Sequence, residues 1–469
     1  MKYYNLFFGL AILSTLNSHS FAQTDKTQVD LTSQSALDLF KTKSLKPQEI
    51  QNSLYQTEAL FELLDTKYKV TTTFDLSKQK DKTDSLSTSL QQNNDLDKYT
   101  WLMNKRFLTG TTLGLEVTHL QNQYQLTNTE TNQNYVSISI DQPLFPNFFG
   151  TQERSIYTSA ANDFKIKSLQ TDFDQLSAQK DMLQLYWKAK SLSVSVDENK
   201  KMIAEYEKLV KKIGQKKQYQ FAAAGEEEQA LSEFETKKQN FKSDQASLND
   251  ALINLKVALN ITQNTIIRFA TESNPVLPVF KKDQVDQLKK YKLQKLKMQS
   301  ADDQSASVQN SNLPQLSLYG KYTQSGFDPS NSAAWTEAQD SNYNKYLIGL
   351  KLDYTFDNSK SDLDQKIKKL TYDIEKNRTE RTDQDLHEQI ELTKIQLANA
   401  YENISSNQKI LDYRKKAVTD ISKNYFQGRS DISLLIDAYN KRILAEVGLI
   451  TSQGDFELKK MDYTILTLD

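Results

Sequence analysis

The sequence lacks cysteine altogether and is poor in histidine, glycine and proline. The absence of cysteine excludes a disulfide framework, a thiolate metal site, a cysteine nucleophile and a lipidated N-terminal cysteine. Three scattered histidines, His19, His119 and His387, argue against a histidine metal site or a catalytic histidine network. Only 12 glycines and 7 prolines occur among 469 residues, so turns are scarce and long helices are expected.

The charges nearly cancel, and no motif for nucleotide chemistry is present. Lysine and arginine total 59 against 60 aspartates and glutamates, which argues against a protein devoted to nucleic acid. Neither GxxxxGK[ST] nor GxGxxG occurs, and no carboxylates stand in a recognisable catalytic spacing. We therefore expect no enzyme activity, no catalytic residues, no cofactor and no metal site.

The first residues have the pattern of a secretory signal peptide. Lys2 supplies a positive charge, residues 6–13 are apolar, and small residues at Ser20 and Ala22 precede a cleavage point before Gln23. Residues 1–22 are therefore predicted to be removed on export. No later stretch holds 18 consecutive apolar residues.

Two proline-free runs, 147–274 and 330–469, predict long helical hairpins that turn near Gly214–Gly225 and near Gly428. Apolar residues recur there in the alternating steps of four and three that are typical of coiled-coil packing. The clearest of these seams contains Leu386, Ile390, Thr393, Leu397, Ala400, Ile404, Asn407 and Leu411. A second is expected at Leu231, Phe234, Lys238, Phe241, Gln245, Leu248, Leu252, Leu255 and Leu259. A helix over 151–213 would be roughly 95 Å long.

Before each hairpin the apolar residues alternate with polar ones, which predicts strands. The clearest runs are Val136, Ile138, Ile140 in the first half and Ile348, Leu350, Leu352 in the second. Such alternation suits a membrane β-barrel or a soluble half-buried sheet. Aromatic residues cluster beside these segments, which favours the barrel because barrels carry aromatic girdles at both membrane interfaces.

The order helix, strands, long hairpin occurs twice, so one unit is duplicated. The first repeat is predicted over 23–274, with strands about 68–145 after a helix near 31–66 and a hairpin about 151–267. The second is predicted over 275–469, with a helix near 283–311, strands about 313–356 and a hairpin about 357–466. The first strand region is longer by about one hairpin, so it holds either four strands or two strands and a long polar loop.

Several segments resemble TolC-like outer membrane efflux proteins, also called outer membrane factors. The resemblance covers the chain from Gln23 to Asp469 and rests on the order, spacing and duplication of degenerate patterns. The segments are SISIDQPLFPNFFG (137–150), FAAAGEEEQALSEFE (221–235), NLPQLSLYG (312–320), GLKLDYTFDNSKSD (349–362) and YFQGRSDISLLIDAYNKRILAE (425–446).

The resemblance implies a mainly α protein that works as a homotrimer. The strands of three chains would form one shared β-barrel among the lipids of the outer membrane, and the helices a periplasmic α-barrel. The short helices would stack end-on with the returning hairpin helices. The function implied is a passive exit duct of a tripartite efflux or type I secretion system, with a periplasmic adaptor protein and an inner-membrane transporter as partners and no nucleic acid.

The resemblance also implies two groups of site residues at the end of the hairpins. A periplasmic aperture would involve Tyr425, Arg429, Asp431, Leu434 and Asp437, and the adaptor would contact the tips at Gly225, Glu226, Gly428 and Ser430. Asp437 takes the place of an acidic aperture residue, but a solvent-facing carboxylate is an equal alternative, and each glycine taken alone is better explained as a helix cap. Leu434 departs from the family pattern, which often has an acidic residue there.

Other protein classes explain part of the same sequence. An exported trimeric coiled-coil structural protein or adhesin accounts for the helices and the signal peptide, but not for the duplicated strands. A periplasmic adaptor has helical hairpins too, but its compact β-domains are rich in glycine and proline.

Overall fold

Helices form most of the structure, and four of them belong to two long hairpins. The computed structural model describes residues 28–80, 94–124, 129–219, 223–280, 284–340 and 343–469, so the predicted signal peptide lies outside it. The elements in chain order are β1 Gln28–Leu31, α1 Ser33–Lys43, α2 Leu45–Thr66, β2 Val70–Lys80, β3 Asn94–Arg106, β4 Thr112–Tyr124, β5 Thr129–Phe145, α3 Thr151–Gln218, α4 Glu226–Ala258, β6 Ile266–Phe269, α5 Lys289–Val308, β7 Gln315–Asp328, α6 Asn331–Gln339, β8 Asn344–Asp353, α7 Ser359–Phe426 and α8 Ile432–Leu466. In the described part of the chain, no helix has both the length and the apolar character needed to span a membrane.

The two hairpins have nearly equal dimensions. Helices α3 and α7 each contain 68 residues, and α4 and α8 contain 33 and 35. A helix of that length spans about 100 Å. The seam predicted for α7 is confirmed, since seven of its eight positions are buried and Asn407 alone is not.

The seam predicted for α4 is confirmed at its end and displaced by one residue before it. Leu255 and Leu259 are buried as predicted, whereas Leu231 is exposed and the buried positions earlier in α4 include Ala230, Lys237 and Ala251, each one residue before a predicted one. On the same side of α4, Asp244 accepts hydrogen bonds from Ser195 and Asn199 of α3.

The helices lie side by side in a single layer. Near the sheet the order is α2, α3, α5, α7, and farther away it is α4, α3, α8, α7. The short helices continue the returning ones end-on, as the resemblance led us to expect. The Asn260 side chain donates to the Lys43 carbonyl at 3.0 Å, and the Lys289 amide donates to the Leu468 carbonyl at 2.7 Å.

The strands form one antiparallel sheet in the order β2-β3-β4-β5-β7-β8. Four strands come from the first repeat and two from the second, and the helix α6 between β7 and β8 was not predicted. The predicted alternation is confirmed: Ile138, Ile140 and Ile348 are exposed on one face, while Ser137 hydrogen-bonds Thr323 on the other at 2.9 Å.

The joint between β5 and α3 is packed backbone against backbone. Gly150 has φ +70°, and a Cβ there would lie 2.0 Å from the carbonyl oxygen of Leu108, in the turn between β3 and β4. The corresponding joint between β8 and α7 is held by side chains. Asn358 donates to the Asn312 carbonyl at 2.8 Å, and Asn312 donates to Asp362 at the same distance.

A small parallel sheet of β1 and β6, midway along the helices, was not predicted. Beside this sheet lies a nearly buried ion pair, in which Lys190 of α3 donates to Glu272 at 2.7 Å. Tyr186 and Ser33 also donate to this carboxylate. Burial alone would raise the pKa of Glu272, but the hydrogen bonds from Lys190 and Tyr186 outweigh it and lower the pKa.

We expect Lys190→Met to destabilise the fold by about 3–5 kcal/mol, because it leaves the Glu272 carboxylate buried without its cation. Adding Glu272→Gln should recover much of this loss, since the amide is neutral and its oxygen still accepts from Ser33. Lys200→Met on the exposed face of α3 is the matched control, with a change within about 0.5 kcal/mol.

The measurement is thermal unfolding followed by helical circular dichroism over a range of pH. Because the folded-state pKa of Glu272 is lowered, its ionisation contributes stability fully above the ordinary value of about 4.3. That contribution is lost as the pH falls through the lowered pKa. Equal stability of the Lys190→Met and Lys200→Met variants would contradict the role of the pair.

Candidate functional site

The far ends of the two hairpins come together and form the candidate site. Each hairpin turns at a glycine with positive φ, Gly225 at +82° and Gly428 at +70°. Asp431 caps α8 by accepting from the Ser433 amide at 2.8 Å, and its pKa is lowered by that backbone hydrogen bond. Both glycines therefore have a structural explanation as turn residues beside helix ends.

A buried tyrosine–glutamate contact joins the two hairpins. The hydroxyl of Tyr425 at the end of α7 donates to the carboxylate of Glu226 at the start of α4, and the two residues are 2% and 8% exposed. Lys216 of α3 completes the group, since its Nζ lies 3.7 Å from Glu226 Oε1 and 4.3 Å from the centre of the Tyr425 ring. Burial and the contact with Glu226 raise the pKa of Tyr425.

Apolar side chains enclose this polar group. They come from α3, α4 and α8, with Val418 and Ile421 of α7 partly buried beside them, so the contact sits where both hairpins meet. The buried members are Met202, Tyr206, Leu209, Ile213, Ala230, Ile432, Leu435, Ile436, Tyr439 and Ile443. In such surroundings a Glu226 carboxylate oxygen without a hydrogen-bond donor would destabilise the folded tips. The hydroxyl of Tyr425 supplies that donor from the other hairpin.

The predicted site residues divide into two sets. Tyr425 and Glu226 turn their side chains inward between the hairpins, so neither presents its side chain to solvent. Arg429, Asp431, Leu434 and Asp437 are exposed, Ser430 is half-buried, and Gly225 and Gly428 lie at the turns.

Asp437 faces solvent but has a cationic neighbour. It lies one turn before Lys441 on α8, with 2.8 Å between Oδ2 and Nζ, and both side chains are about half exposed. Such an ion pair contributes little to stability and partly neutralises the charge of the carboxylate. Leu434 lies on the same exposed face of α8, at 50% exposure.

Three contacts at this end were not identified from the sequence as parts of the site. Gln229 of α4 donates to Ser433 of α8 at 3.3 Å, which is a second bridge between the hairpins. Lys212 lies 4.0 Å from the centre of the Phe426 ring, and Lys217 pairs with Glu227. These lysines belong to a lysine-rich stretch that precedes three consecutive glutamates, Glu226, Glu227 and Glu228, but nothing in that spacing indicates which lysine reaches Tyr425.

Across the described ranges, no three or more histidine, aspartate or glutamate side chains are grouped in a way that could hold a metal ion. The contacts seen at the hairpin tips are hydrogen bonds, ion pairs and apolar packing.

We expect Tyr425→Phe to weaken the contact between the hairpins by about 1–3 kcal/mol, because Glu226 then keeps only partners from its own hairpin, the Ala223 amide at 2.9 Å and Lys216 at 3.7 Å. Amide hydrogen exchange at the start of α4 and of α8 should become faster. Tyr413→Phe, which changes an exposed tyrosine of α7, is the control and should leave exchange unaltered. Unchanged exchange in both variants would show that the tyrosine hydroxyl does not hold the tips together.

The comparisons with known proteins identify the fold but no close relative. No protein-family model and no curated protein matches the chain. Among solved structures, CusC is similar at 11% identity with a TM-score of 0.67, covering 96% of each chain. The Campylobacter jejuni CmeC outer membrane channel is 12% identical with a TM-score of 0.67, covering 98% of this chain and 93% of its own. The Neisseria gonorrhoeae MtrE outer membrane channel is 12% identical with a TM-score of 0.62, covering 97% and 94%. The chain therefore has the fold of the TolC-like outer membrane channels.

Proposed function

We propose that this protein is an outer-membrane channel, the exit duct of a tripartite efflux or type I secretion system. Its strands would span the outer membrane and its helices would extend through the periplasm. The observation that carries this proposal is the sheet, which exposes a continuous apolar face directly above two helical hairpins about 100 Å long.

The two faces of the sheet suit lipid on one side and water on the other. The exposed face carries residues such as Leu115, Ile138 and Leu350, with stacked aromatic pairs such as Phe74 and Trp101. The opposite face is polar and includes an ion pair of 2.7 Å between Lys321 and Glu116. Because Lys321 donates a hydrogen bond to Glu116, it lowers the cost of keeping the Glu116 carboxylate on this face of the sheet. Apolar outside and polar inside is the pattern of a strand in a membrane barrel.

A homotrimer is the proposed assembly, because one chain supplies six strands and a closed barrel needs at least about eight. The single layer of helices supports this, since it leaves side chains such as Leu392 and Ile395 of α7 exposed on the isolated chain. A periplasmic adaptor and an inner-membrane transporter are the proposed partners, as in the family that the fold resembles.

The hairpin tips are the proposed gate and adaptor contact. Movement of α7 and α8 away from α3 and α4 would break the Tyr425–Glu226 and Gln229–Ser433 contacts. Three copies of Asp437 around an aperture would attract cations and disfavour anions, and Lys441 would weaken that effect. Gly225, Gly428 and Ser430 are the proposed adaptor contacts.

Membrane fractionation tests the proposal directly. We expect the protein in the outer-membrane fraction, and on gels an unboiled species near three times the 53.9 kDa mass of the full chain, which heating converts to one chain. The strands of different copies would keep the unheated trimer together. A protein found only in the soluble periplasm would contradict the channel and favour the coiled-coil structural alternative.

A covalent bridge between the hairpins tests the gate. We expect Gln229→Cys combined with Ser433→Cys to be bridged by a short thiol-specific cross-linker with reducible ends, since the natural side chains touch and no other cysteine is present. The bridged trimer should conduct ions poorly in planar bilayers, and a reductant should restore conductance. Each single variant is the control, and equal conductance of bridged and reduced protein would rule out this movement.

A further inference from the structure

Strand β7 opens two glycine positions onto the apolar face of the sheet. Gly320 and Gly326 lie six residues apart where the pairing with β5 is unbroken, so both belong to the same face. Helix α6 covers Gly326, where a Cβ atom would overlap the carbonyl oxygen of Ala334. Gly320 is not covered in this way, since among the described residues a Cβ atom there would meet only Ile140 Cγ2 at 3.3 Å and the carbonyl oxygen of Leu347 at 3.8 Å. A glycine inside a strand is typical of a place where a ligand or another backbone approaches closely.

Gly320 forms the floor of an apolar groove. Across the sheet it stands in one row with Ile140 of β5 and Ile348 of β8, whose side chains form the two walls. The groove follows β7 from Leu318 to Tyr322, which is about 13 Å, and its volume is about 350 Å³. A slot of this length and of the width of one missing side chain suits a single hydrocarbon chain. Because membrane strands are tilted by about 40°, a groove along a strand runs within that angle of the acyl chains of a lipid.

Aromatic side chains place the groove in the half of the apolar band that is farther from the helices. Tyr322 and Tyr346 form the far end of the groove, with ring centres 5.4 Å apart. Tyr354 and Phe356 follow Tyr346 by eight and ten residues on the way to α7, which is roughly 20–25 Å of membrane depth for strands at that tilt. An apolar band of about 25 Å between two aromatic girdles is typical of outer-membrane proteins. The tyrosine end of the groove therefore lies at the outer interface of the proposed membrane span.

Polar groups begin directly beyond the two tyrosines. The next row of the same face pairs Gln324 with Asn344, and α6 lies beyond that row. Asn132 of β5 holds the segment before α6 by donating to the Pro329 carbonyl at 2.8 Å. A tyrosine, with an apolar ring and a polar hydroxyl, suits the boundary between acyl chains and headgroups. The groove is thus apolar toward the helices and polar at its far end, in the same order as the chain and the headgroup of a lipid.

On the polar face of the sheet, the chain fills a similar gap with its own side chain. Gly349 of β8 opens onto that face, and a Cβ atom there would overlap the ring of Tyr319 on β7. The gap at Gly320 differs because it lies on the face that the proposed function places against lipid.

We propose that this groove holds one acyl chain of a membrane lipid, whose headgroup lies beside Tyr322, Tyr346 and α6. The inference rests on the proposed function, because only a sheet inside the membrane meets lipid. The surrounding lipid is as apolar as the groove, so the chain is held by close packing against Gly320 and the two isoleucines rather than by removal from water. A chain held in this way exchanges more slowly than the lipid chains along the rest of the face.

Photolabelling tests the groove. The probe is a phosphatidylethanolamine that carries a diazirine on one acyl chain, present at low fraction in liposomes of phosphatidylethanolamine and phosphatidylglycerol. Protein purified from membranes is inserted, irradiated and digested, and mass spectrometry locates the label. Leu113 of β4 is exposed on the same face outside the groove and serves as the reference. We expect the label at the groove residues of β7 and β8 to exceed the label at Leu113 by about tenfold.

Two variants and a control make the test specific. Gly320→Val places a side chain in the groove, and valine suits a strand at this position because Gly320 has no positive φ. We expect it to lower the label at β7 and β8 by about tenfold, to the level at Leu113. Ile348→Ala removes one wall and should lower the label several-fold, which decides the test if Gly320→Val does not fold. Leu352→Ala, at an exposed residue of β8 on the same face outside the groove, should leave the label unchanged.

Even labelling of the apolar face that neither Gly320→Val nor Ile348→Ala alters would overturn the lipid groove, as would an equal loss of label in Ile348→Ala and Leu352→Ala. Either result with a heat-labile trimer in the outer membrane would leave the proposed function intact. A protein absent from the outer membrane would overturn both the groove and the proposed function.

Discussion

The long helix α7 buries only a narrow seam of side chains, and this limits what the chain can build. In α7 the buried positions from Leu386 to Leu411 follow one another in steps of three, four or seven residues, and the flanking faces remain open. Helices with such seams pack beside neighbours but cannot surround a thick core. The result is a single layer of helices continued by a single sheet. Among the described residues, the outermost helices and strands have a neighbouring element on one side only.

The contacts between the hairpins are more specific than the seams. Tyr425, Glu226 and Lys216 come from three helices and meet inside an apolar cluster. Apolar packing of these helices would tolerate small displacements along their axes. A buried hydroxyl–carboxylate contact does not, so it defines one alignment of the tips.

The sequence predicted the fold where a repeated pattern reports directly on burial. Helices α3 and α7 and the alternating strands were predicted because apolar periodicity over many residues leaves little ambiguity. The small β1–β6 sheet was missed, since four-residue strands carry too short a pattern. The α4 seam was displaced by one residue over part of its length, because alanines such as Ala230 and Ala251 carry a weaker apolar signal than the leucines that follow them.

The sequence indicated where along the chain the candidate site residues lie, but not which of them contact one another. The glycines and Asp431 marked the hairpin turns correctly, since they have local reasons for their places. The partnership of Tyr425 with Glu226 depends on how two hairpins align, and residues so far apart along the chain carry no local sign of it. Sequence reasoning therefore placed both residues at the hairpin tips without indicating that their side chains are buried against each other.

The two joints between sheet and helix differ in stiffness. At Gly150 there is no room even for a methyl group, so α3 cannot rotate about its first turn without displacing the β3–β4 turn. At the second joint, Asn358 and Asn312 can exchange their hydrogen bonds for water at small cost. The sheet therefore holds the first hairpin by a tight backbone contact and the second by side-chain hydrogen bonds that are easier to break. The two repeats thus differ in how firmly their hairpins are attached, although their long helices have the same length.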